Sequence, residues 1–188
     1  MAWLTEQQLR KMEFLSIGEN VLLSDKASYY NCKKIRIGNN VRVDDFCVIS
    51  AGIGGIDIGS YIHIAVYSSL IGSGNISLSD FCNISSRVSI YSSNDDYSGE
   101  FMTNPNVPSD YTNVKHADVK VGRHVVIGSG SVILPGAILE DGVAIGALSL
   151  VTKSCDAFGI YAGVPVKRIK ERKCDFLKLE LKFIESKL

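Results

Sequence analysis

The sequence predicts an all-β fold: a parallel β-helix shaped as a triangular prism, with a short N-terminal helix, one long inserted loop and a C-terminal helix. Three observations carry this prediction. A six-residue phrase (an apolar residue, Gly, two variable residues, a small residue and one more) recurs along the chain, most cleanly at 121–126, 127–132 and 133–138. A longer period groups these phrases into turns, and the phrase is interrupted only once, between Ile90 and Val119.

The two periods together define a prism. A six-residue unit cannot bury its apolar side chain alone, so neighbouring units must stack. Similar segments begin at Ile35, Ile56 and Ile76, at intervals of 21 and 20 residues, and later units return after 18. Three six-residue edges make a turn of 18, with a small excess at one corner. We expect the first residue of each unit to fill the interior and the small fifth residue to point inward near a corner. Alternation alone would also fit an antiparallel sandwich, but the regular placement of Gly favours the prism.

Three segments follow from this pattern. An N-terminal helix occupies 1–16, where Thr5 and Gln8 form a capping box and Leu4 with Leu9 forms a hydrophobic staple. The repeats occupy 17–160 and include the inserted loop, 91–118. The last segment, 161–188, is predicted to be a turn and a helix that Pro165 opens. Its helical spacing is carried by Val166, Ile169, Phe176, Leu177, Leu181, Ile184 and Leu188.

Composition excludes several classes of function. The chain has 188 residues, and its 20 Lys plus Arg equal its 20 Asp plus Glu, so no electrostatic case exists for binding nucleic acid. The N-terminus has no signal-peptide pattern and no apolar run is long enough to span a bilayer, so a cytoplasmic protein is expected. The five cysteines include no Cys-x-x-Cys pair. Cys47, Cys82 and Cys155 fall at the fifth place of a unit, which predicts small buried residues rather than ligands or disulfides.

The six-residue units, the single loop and the tail (151–153, then 162–168) closely resemble the left-handed parallel β-helix acyltransferases. The similarity covers about 17–172 and is strongest to the sugar and xenobiotic O-acetyltransferases and the nucleotide-sugar N-acetyltransferases. The left hand of the coil is implied by this resemblance alone. The resemblance also implies acetyl-CoA as co-substrate with no metal, a sugar or nucleotide-sugar acceptor, a role in surface-polysaccharide or nucleotide-sugar biosynthesis, and a homotrimer with active sites between neighbouring prisms.

The resemblance further implies where the cofactor lies. Its candidate contacts are on the last coils and after the turn that follows them: Gly128, Gly146, Ala147, Thr152, Lys153, Lys167 and Arg168. Small side chains let a pantetheine arm approach the backbone. Lys167 or Arg168 would face the adenosine 3′-phosphate. The same cations would equally serve as the solvated start of the C-terminal helix.

The loop departs from the family pattern at the catalytic base. The sugar acetyltransferases carry a His there, whereas this chain has Asn94, Asp95 and Asp96. Three alternatives stay open: Asp95 or Asp96 is the base or holds the sugar, His116 folds back to act as the base, or an amine acceptor needs no protein base. The aspartates could also form a turn as the chain leaves the coil, and His63, which points outward from the prism, is a further candidate. The candidates for acceptor binding are Asn94, Tyr97 and Tyr111.

Two functions of other classes are alternatives. One is a metal-dependent lyase of the β-helical carbonic anhydrase type, which needs a zinc site of three histidines. The chain has three: His63, His116 and His124. A prism that only binds a partner is the other. Binding and turnover of acetyl-CoA would separate both from a transferase.

Overall fold

The computed structural model describes residues 2–187, which form a prism of three parallel sheets. Met1 and Leu188, the ends of the predicted terminal segments, lie outside the described residues. The first sheet contains β1 (Ser16–Ile17), β4 (Ile35–Ile37), β7 (Ile56–Ile58), β10 (Ile76–Leu78), β15 (Val119–Val121) and β18 (Ile138–Leu139). The second contains β2 (Leu22–Leu23), β5 (Arg42–Val43), β8 (His63–Ile64), β11 (Asn83–Ile84), β16 (Val126–Ile127), β19 (Ala144–Ile145), β21 (Gly159–Gly163) and β22 (Val166–Glu171). The third contains β3 (Ser28–Tyr30), β6 (Val48–Ala51), β9 (Ser69–Gly72), β12 (Ser89–Tyr91), β17 (Val132–Ile133) and β20 (Leu150–Val151).

Each coil visits the three sheets in order, and each strand pairs with the strand one coil later. Ile35 lies opposite Ile56, and Ile56 opposite Ile76, so the register reproduces the predicted 21 and 20 residues per coil. Val121 lies opposite Leu139, which gives the predicted 18. We call the bend from the first to the second sheet the first corner, the next bend the second corner, and the bend back to the first sheet the third corner.

The core consists of the residues that the repeat predicted to point inward. The first-place residues Ile64, Ile84 and Ile127 stack on successive coils and are fully buried. Fifth-place residues such as Val41 and Cys82 are buried beside the corners. Since burying one Ile side chain contributes about 1.5–3 kcal/mol, the stacked columns hold the coils together.

The fourth residue of the six-residue unit takes a left-handed backbone conformation at most corners. Glycine is at ease there, as at Gly130 (φ 72°), but several large residues occupy the same place, including Phe46 (φ 62°), Tyr67 (φ 63°) and Phe81 (φ 64°). Holding a side chain of this size in that region costs roughly 1–2 kcal/mol. Neighbouring coils therefore carry columns of outward side chains along the first and second corners.

The N-terminal segment closes the open end of the prism. Helix α1 spans Glu6–Lys11, and the predicted capping box is present, with the Gln8 amide donating to the Thr5 hydroxyl and the Thr5 amide donating to the Gln8 side chain. Leu4 and Leu9 both pack against the core. The helix is shorter than the segment predicted for it because the backbone turns at Glu13 (φ 53°) to enter β1.

The C-terminal segment corrects one prediction. Pro165 does not open a helix: it follows a cis peptide bond in the turn between β21 and β22, which pair antiparallel. Strand pairing on the edge of the second sheet outweighs the helical spacing of Val166 and Ile169, since tertiary contacts override local propensity. Helix α2 begins only at Asp175 and ends at Glu185.

The inserted loop returns on itself. Its two ends form a short antiparallel pair, β13 (Ser93–Asn94) and β14 (Lys115–His116), and a single 3₁₀ turn, Ser109–Tyr111, lies between them in the described chain. The loop leaves the prism at the third corner. Within residues 2–187 no helix is both long enough and apolar enough to cross a bilayer.

Candidate active site

The base of the loop gathers most of the predicted catalytic residues. In the β13–β14 pair, Ser93 lies opposite His116 and Asn94 opposite Lys115. The structure thus folds His116 back against Ser93, two residues before Asp95 in the chain, as one of the three alternatives required. An exposed carboxylate and an exposed imidazole share the third corner of the prism.

The His116 ring is held from one side. Its Nδ1 lies 2.8 Å from the Ser93 hydroxyl, and that hydroxyl accepts a hydrogen bond of 2.7 Å from the Ser73 amide. The Nε2 atom has no hydrogen-bond partner among residues 2–187, so it faces solvent from a fixed ring. An imidazole arranged in this way can donate a hydrogen bond to a bound substrate or accept one from it.

The two aspartates differ in their availability. One Asp96 carboxylate oxygen accepts from the Ser98 hydroxyl at 2.6 Å and from the Ser98 amide at 3.2 Å, so Asp96 forms the turn by which the chain leaves the coil. Asp95 is exposed and makes no hydrogen bond or ion pair with any described residue. The structure therefore brings Asp95, rather than Asp96, to the loop base as an uncommitted carboxylate.

The predicted acceptor-binding residues do not all meet there. Asn94 lies in β13 beside the candidate base. Tyr97 and Tyr111 lie further out on the loop with largely exposed rings. Within one protomer, no wall of the prism packs on these two rings in the described part of the chain.

His63 belongs to a separate cluster on the second sheet. Its Nε2 lies 2.9 Å from one oxygen of the buried Asp44 carboxylate, and Arg42 Nε donates to the other oxygen at 2.7 Å. Burial alone would raise the pKa of Asp44, but the hydrogen bonds from His63 and Arg42 outweigh it and hold that pKa below its usual value. In one protomer the structure does not bring His63 to Asp95.

His124 is enclosed at the first corner. Its ring stacks on Phe81 with centroids 4.9 Å apart, and its Nε2 lies 2.7 Å from the Glu180 carboxylate of helix α2. His63, His116 and His124 therefore lie on three different parts of the prism, and no cluster of three metal-binding side chains occurs in 2–187. The arrangement that a three-His zinc site needs is not formed.

The predicted cofactor residues lie on two corners. Gly128, Gly146 and Ala147 are at the second corner, where the coils approach closely: a Cβ on Gly128 would lie 2.5 Å from the Ala147 amide nitrogen, and one on Gly146 3.0 Å from the Cβ of Ala162. Only small residues fit this column, and it leaves backbone accessible to a long thin ligand.

Thr152 and Lys153 are exposed at the third corner, below the loop base. They follow β20, whose partner β17 pairs in turn with β12, the strand that leads to Asp95. They thus share a corner with the candidate base, and one face of the prism separates them from the second-corner column.

Lys167 and Arg168 lie on β22 rather than on a helix. Arg168 Nη2 lies 2.8 Å from each carboxylate oxygen of Glu171, so much of the charge of Arg168 is already paired. Lys167 is exposed and forms no ion pair with the described residues. Of the two cations, Lys167 is the one available to a phosphate.

The cysteines have a structural role, as predicted. Cys47, Cys82 and Cys155 are buried, and burial raises the pKa of Cys82 to about 12 and that of Cys47 and Cys155 to about 11. Thiols of this kind are inert at neutral pH. Cys174 is exposed on the approach to α2.

A stack of side chains at the second corner was not predicted from the sequence. The Phe46 and Tyr67 rings lie 5.0 Å apart and nearly parallel, and the Arg87 guanidinium lies 5.7 Å from the Tyr67 ring centre. The signal was present in the sequence: these are large residues at the fourth place, where cleaner units carry Gly130 and Gly136.

Comparison with known proteins gives the class. Residues 118–153 match the family described as bacterial transferase hexapeptide, six repeats. An Escherichia coli dTDP-4-amino-4,6-dideoxy-D-glucose acyltransferase is 60% identical over 186 residues, which is 99% of this chain and 97% of that protein. The chain belongs to the hexapeptide-repeat acyltransferases.

Two further similarities agree with this assignment. The putative lipopolysaccharide biosynthesis O-acetyl transferase WbbJ of Escherichia coli K12 is 30% identical, with 84% of this chain and 88% of that protein covered. A crystal structure of AntD, an N-acyltransferase from Bacillus cereus, in complex with dTDP and coenzyme A superposes with a TM-score of 0.94 at 47% identity, covering 98% of each chain. The predictions of a left-handed parallel β-helix and of a CoA-dependent sugar acyltransferase are confirmed, and the non-catalytic prism and the lyase are not supported.

Proposed function

We propose that this protein is a cytoplasmic enzyme that transfers the acetyl group of acetyl-CoA to the 4-amino group of a dTDP-linked 4-amino-4,6-dideoxyglucose. The observation that carries the proposal is the 60% identity, over nearly the whole chain, to an acyltransferase named for that sugar. AntD, at 46% identity, was crystallised with dTDP-4-amino-4,6-dideoxyglucose and coenzyme A, which supports the same pair of substrates.

Asp95 is the proposed general base. Its carboxylate is exposed and unpaired among the described residues, whereas Asp96 is occupied by Ser98. The AntD variants that were crystallised replace one aspartate and one serine ten positions apart. Ser85 and Asp95 have that spacing in this chain, and so do Ser86 and Asp96. The free carboxylate favours the first pair.

The proposed reaction is a direct transfer. The amino group of the sugar is an ammonium at neutral pH, as alkyl amines are, and Asp95 takes one proton from it before the neutral nitrogen attacks the thioester carbon. The new C–N bond forms, the C–S bond breaks, and the second proton lost by the nitrogen passes to the departing CoA thiolate. His116 Nε2, on a ring fixed by Ser93, hydrogen-bonds the sugar beside the reacting amine.

Each active site is proposed to form between two protomers of a trimer. In one prism, Asp95 and Lys153 lie at the third corner, while Gly146 and Ala147 lie one face away at the second corner. A neighbouring copy can bring its second corner against this third corner, which joins the pantetheine column to the base. This geometry is the support for the predicted homotrimer.

Steady-state kinetics test the base and the acceptor together. With acetyl-CoA and dTDP-4-amino-4,6-dideoxyglucose, wild-type protein should release free CoA, and Asp95→Asn should lower kcat by about 100-fold or more. Asp96→Asn is the matched control and should stay within a few-fold of wild type. If wild-type protein releases no CoA with this sugar, the proposed function is wrong. If Asp95→Asn turns over normally, Asp95 is not the base, and His116 or an amine acceptor that needs no protein base takes its place.

Complementation tests the shared site. Asp95→Asn and Ala147→Trp are each expected to be inactive, because one lacks the base and the other blocks the cofactor column. Subunits exchanged between the two proteins create some sites in which both corners are intact, so activity should return on mixing. Each variant mixed with itself is the control, and an unchanged lack of activity after proven exchange would show that both residues act within one protomer.

A further inference from the structure

The second corner carries an uncovered stack of planar groups. Phe46 is 49% exposed and Tyr67 53% exposed, with their rings 5.0 Å apart at an interplanar angle of 17°. Arg87 continues the stack on the next coil and forms no ion pair with the described residues. All three hold left-handed backbone conformations, with φ of 62°, 63° and 61°, that are costly for side chains of this size.

The first corner shows what a stack of this kind needs. There Tyr61, Phe81 and His124 occupy the same fourth place and stack with ring separations of 4.9 Å. Helix α2 covers them, with Phe183 packed edge-on against Tyr61 at 5.3 Å. Contacts with helix α2 thus offset the backbone strain of the first-corner stack. The second-corner stack is built in the same way, but no helix of residues 2–187 packs on it.

The charge of the second corner and the arrangement of its residues along the edge indicate the kind of ligand that would cover it. Backbone hydrogen bonds link successive coils along this edge, because the amides of Arg87, Gly130 and Leu148 donate to the carbonyls just before Tyr67, Arg87 and Gly130. The aromatic half and the small-residue half therefore lie in line, with an unpaired guanidinium between them. A ligand with a planar ring and an adjacent anionic group matches a stacking platform followed by Arg87.

We infer that Tyr67 and Phe46 form the stacking platform for the thymine base of the dTDP-sugar acceptor and that Arg87 binds its diphosphate. This inference rests on the proposed function, since it assigns a subsite for the acceptor of the same reaction. The nucleotide occupies the aromatic half of the second corner and the pantetheine arm occupies the half around Gly128 and Ala147. The sugar amine then lies between them, near Ser85 and the partner's loop.

Calorimetry with dTDP and with inorganic pyrophosphate separates the two contacts. Loss of one base-stacking side chain weakens binding by about 5- to 150-fold, so Tyr67→Ala should weaken dTDP binding by that factor and leave pyrophosphate binding unchanged. Arg87→Gln should weaken both ligands, and Tyr67→Phe should bind dTDP as wild type does. Tyr30→Ala is the matched control, because Tyr30 is 55% exposed on another strand. The KM for acetyl-CoA should not move in any of them.

The outcomes separate this inference from the proposed function. If wild-type protein binds dTDP and Tyr67→Ala binds it equally well, the subsite is wrong and the proposed function stands. If wild-type protein neither binds dTDP nor turns over the dTDP-sugar, the proposed function itself fails. If light scattering shows that Tyr67→Ala breaks the oligomer while its remaining assembled fraction binds dTDP normally, the stack is a contact between copies of this chain, which also overturns the inference.

Discussion

Replacing Glu180 by alanine is expected to loosen helix α2 from the first corner while the prism stays folded. Helix α2 has no fully buried residue, so few contacts hold it. Phe176 and Phe183 lie against the rings of the first corner. Between them, the Glu180 carboxylate, only 9% exposed, binds both Arg123 and His124. Removal of this carboxylate takes away the polar anchor of the helix.

The size of the effect follows from the two bonds. The bond to the enclosed His124 is a hydrogen bond to a charged group, which is worth about 1.5–3 kcal/mol. The Arg123 side chain is 47% exposed, so solvent screening reduces its ion pair to about 0.2–1 kcal/mol. Together they contribute about 2–4 kcal/mol to the closed state of α2. At 1.36 kcal/mol per factor of ten, opening should become about 30- to 900-fold more frequent.

Hydrogen exchange with peptide-resolved mass spectrometry measures this opening directly. Amides of α2 should exchange faster by that factor in Glu180→Ala, whereas amides of β11 and β16 should keep their protection. Glu185→Ala is the control, because Glu185 lies on the same helix with an exposed side chain. An acceleration below about three-fold in α2, or an equal loss of protection in the strands, would refute the reasoning that Glu180 anchors a helix which opens independently.

Two further predictions concern the cysteines and the carboxylate on the second sheet. A thiol reagent at pH 8 should modify only Cys174 in the native chain and all five cysteines after unfolding. The buried thiols should not react, because burial raises the pKa of Cys82, for example, to about 12. The Cys174→Ser variant should show no reaction in the native state. Asp44→Asn should lower the thermal midpoint at pH 7 and flatten the loss of stability below about pH 4. The folded pKa of Asp44 is depressed, so its stabilisation is present above the unfolded value of about 3.9 and is lost as pH falls through the folded value. A variant with the acid profile of the wild type would contradict this role.

The sequence predicted the prism well because its information is periodic. The interior needs an apolar first residue and a small fifth residue on every coil, so Ile64, Ile84 and Ile127 repeat one signal. The register of 21, 20 and 18 residues follows in the same way from the spacing of 35, 56 and 76 and of 121 and 139. The prediction for the C-terminal segment was wrong because that segment lies outside the repeat. Val166 and Ile169 have helical spacing, yet β22 had an unfilled sheet edge to pair with, and nothing local in the sequence describes that edge.

The candidate site could be predicted only in part for a similar reason. The loop base was found because the repeat stops there, and the fold-back of His116 was one of the alternatives. The proposal of Asp95 over Asp96 depends on the hydrogen bonds from Ser98 to Asp96, which no sequence spacing shows. The separation of Ala147 and Lys153 onto two corners follows from the triangular cross-section, and it becomes visible only when the coils are closed.

The fourth place of the repeat explains how one backbone position serves different purposes in the same prism. Its left-handed conformation points a side chain outward at most corners, so the identity of that residue is not restricted by the core and can suit what lies outside. Glycine at Gly130 leaves the second corner without a side chain beside the candidate cofactor residues Gly128 and Ala147. Aromatic residues at Tyr61 and Phe81 give helix α2 a surface to dock on. The same choice at Phe46 and Tyr67, which no helix of residues 2–187 covers, is what a flat ligand would require. The strain at this position is therefore informative wherever a large side chain replaces glycine, because that side chain points away from the core and is available for a contact outside the prism.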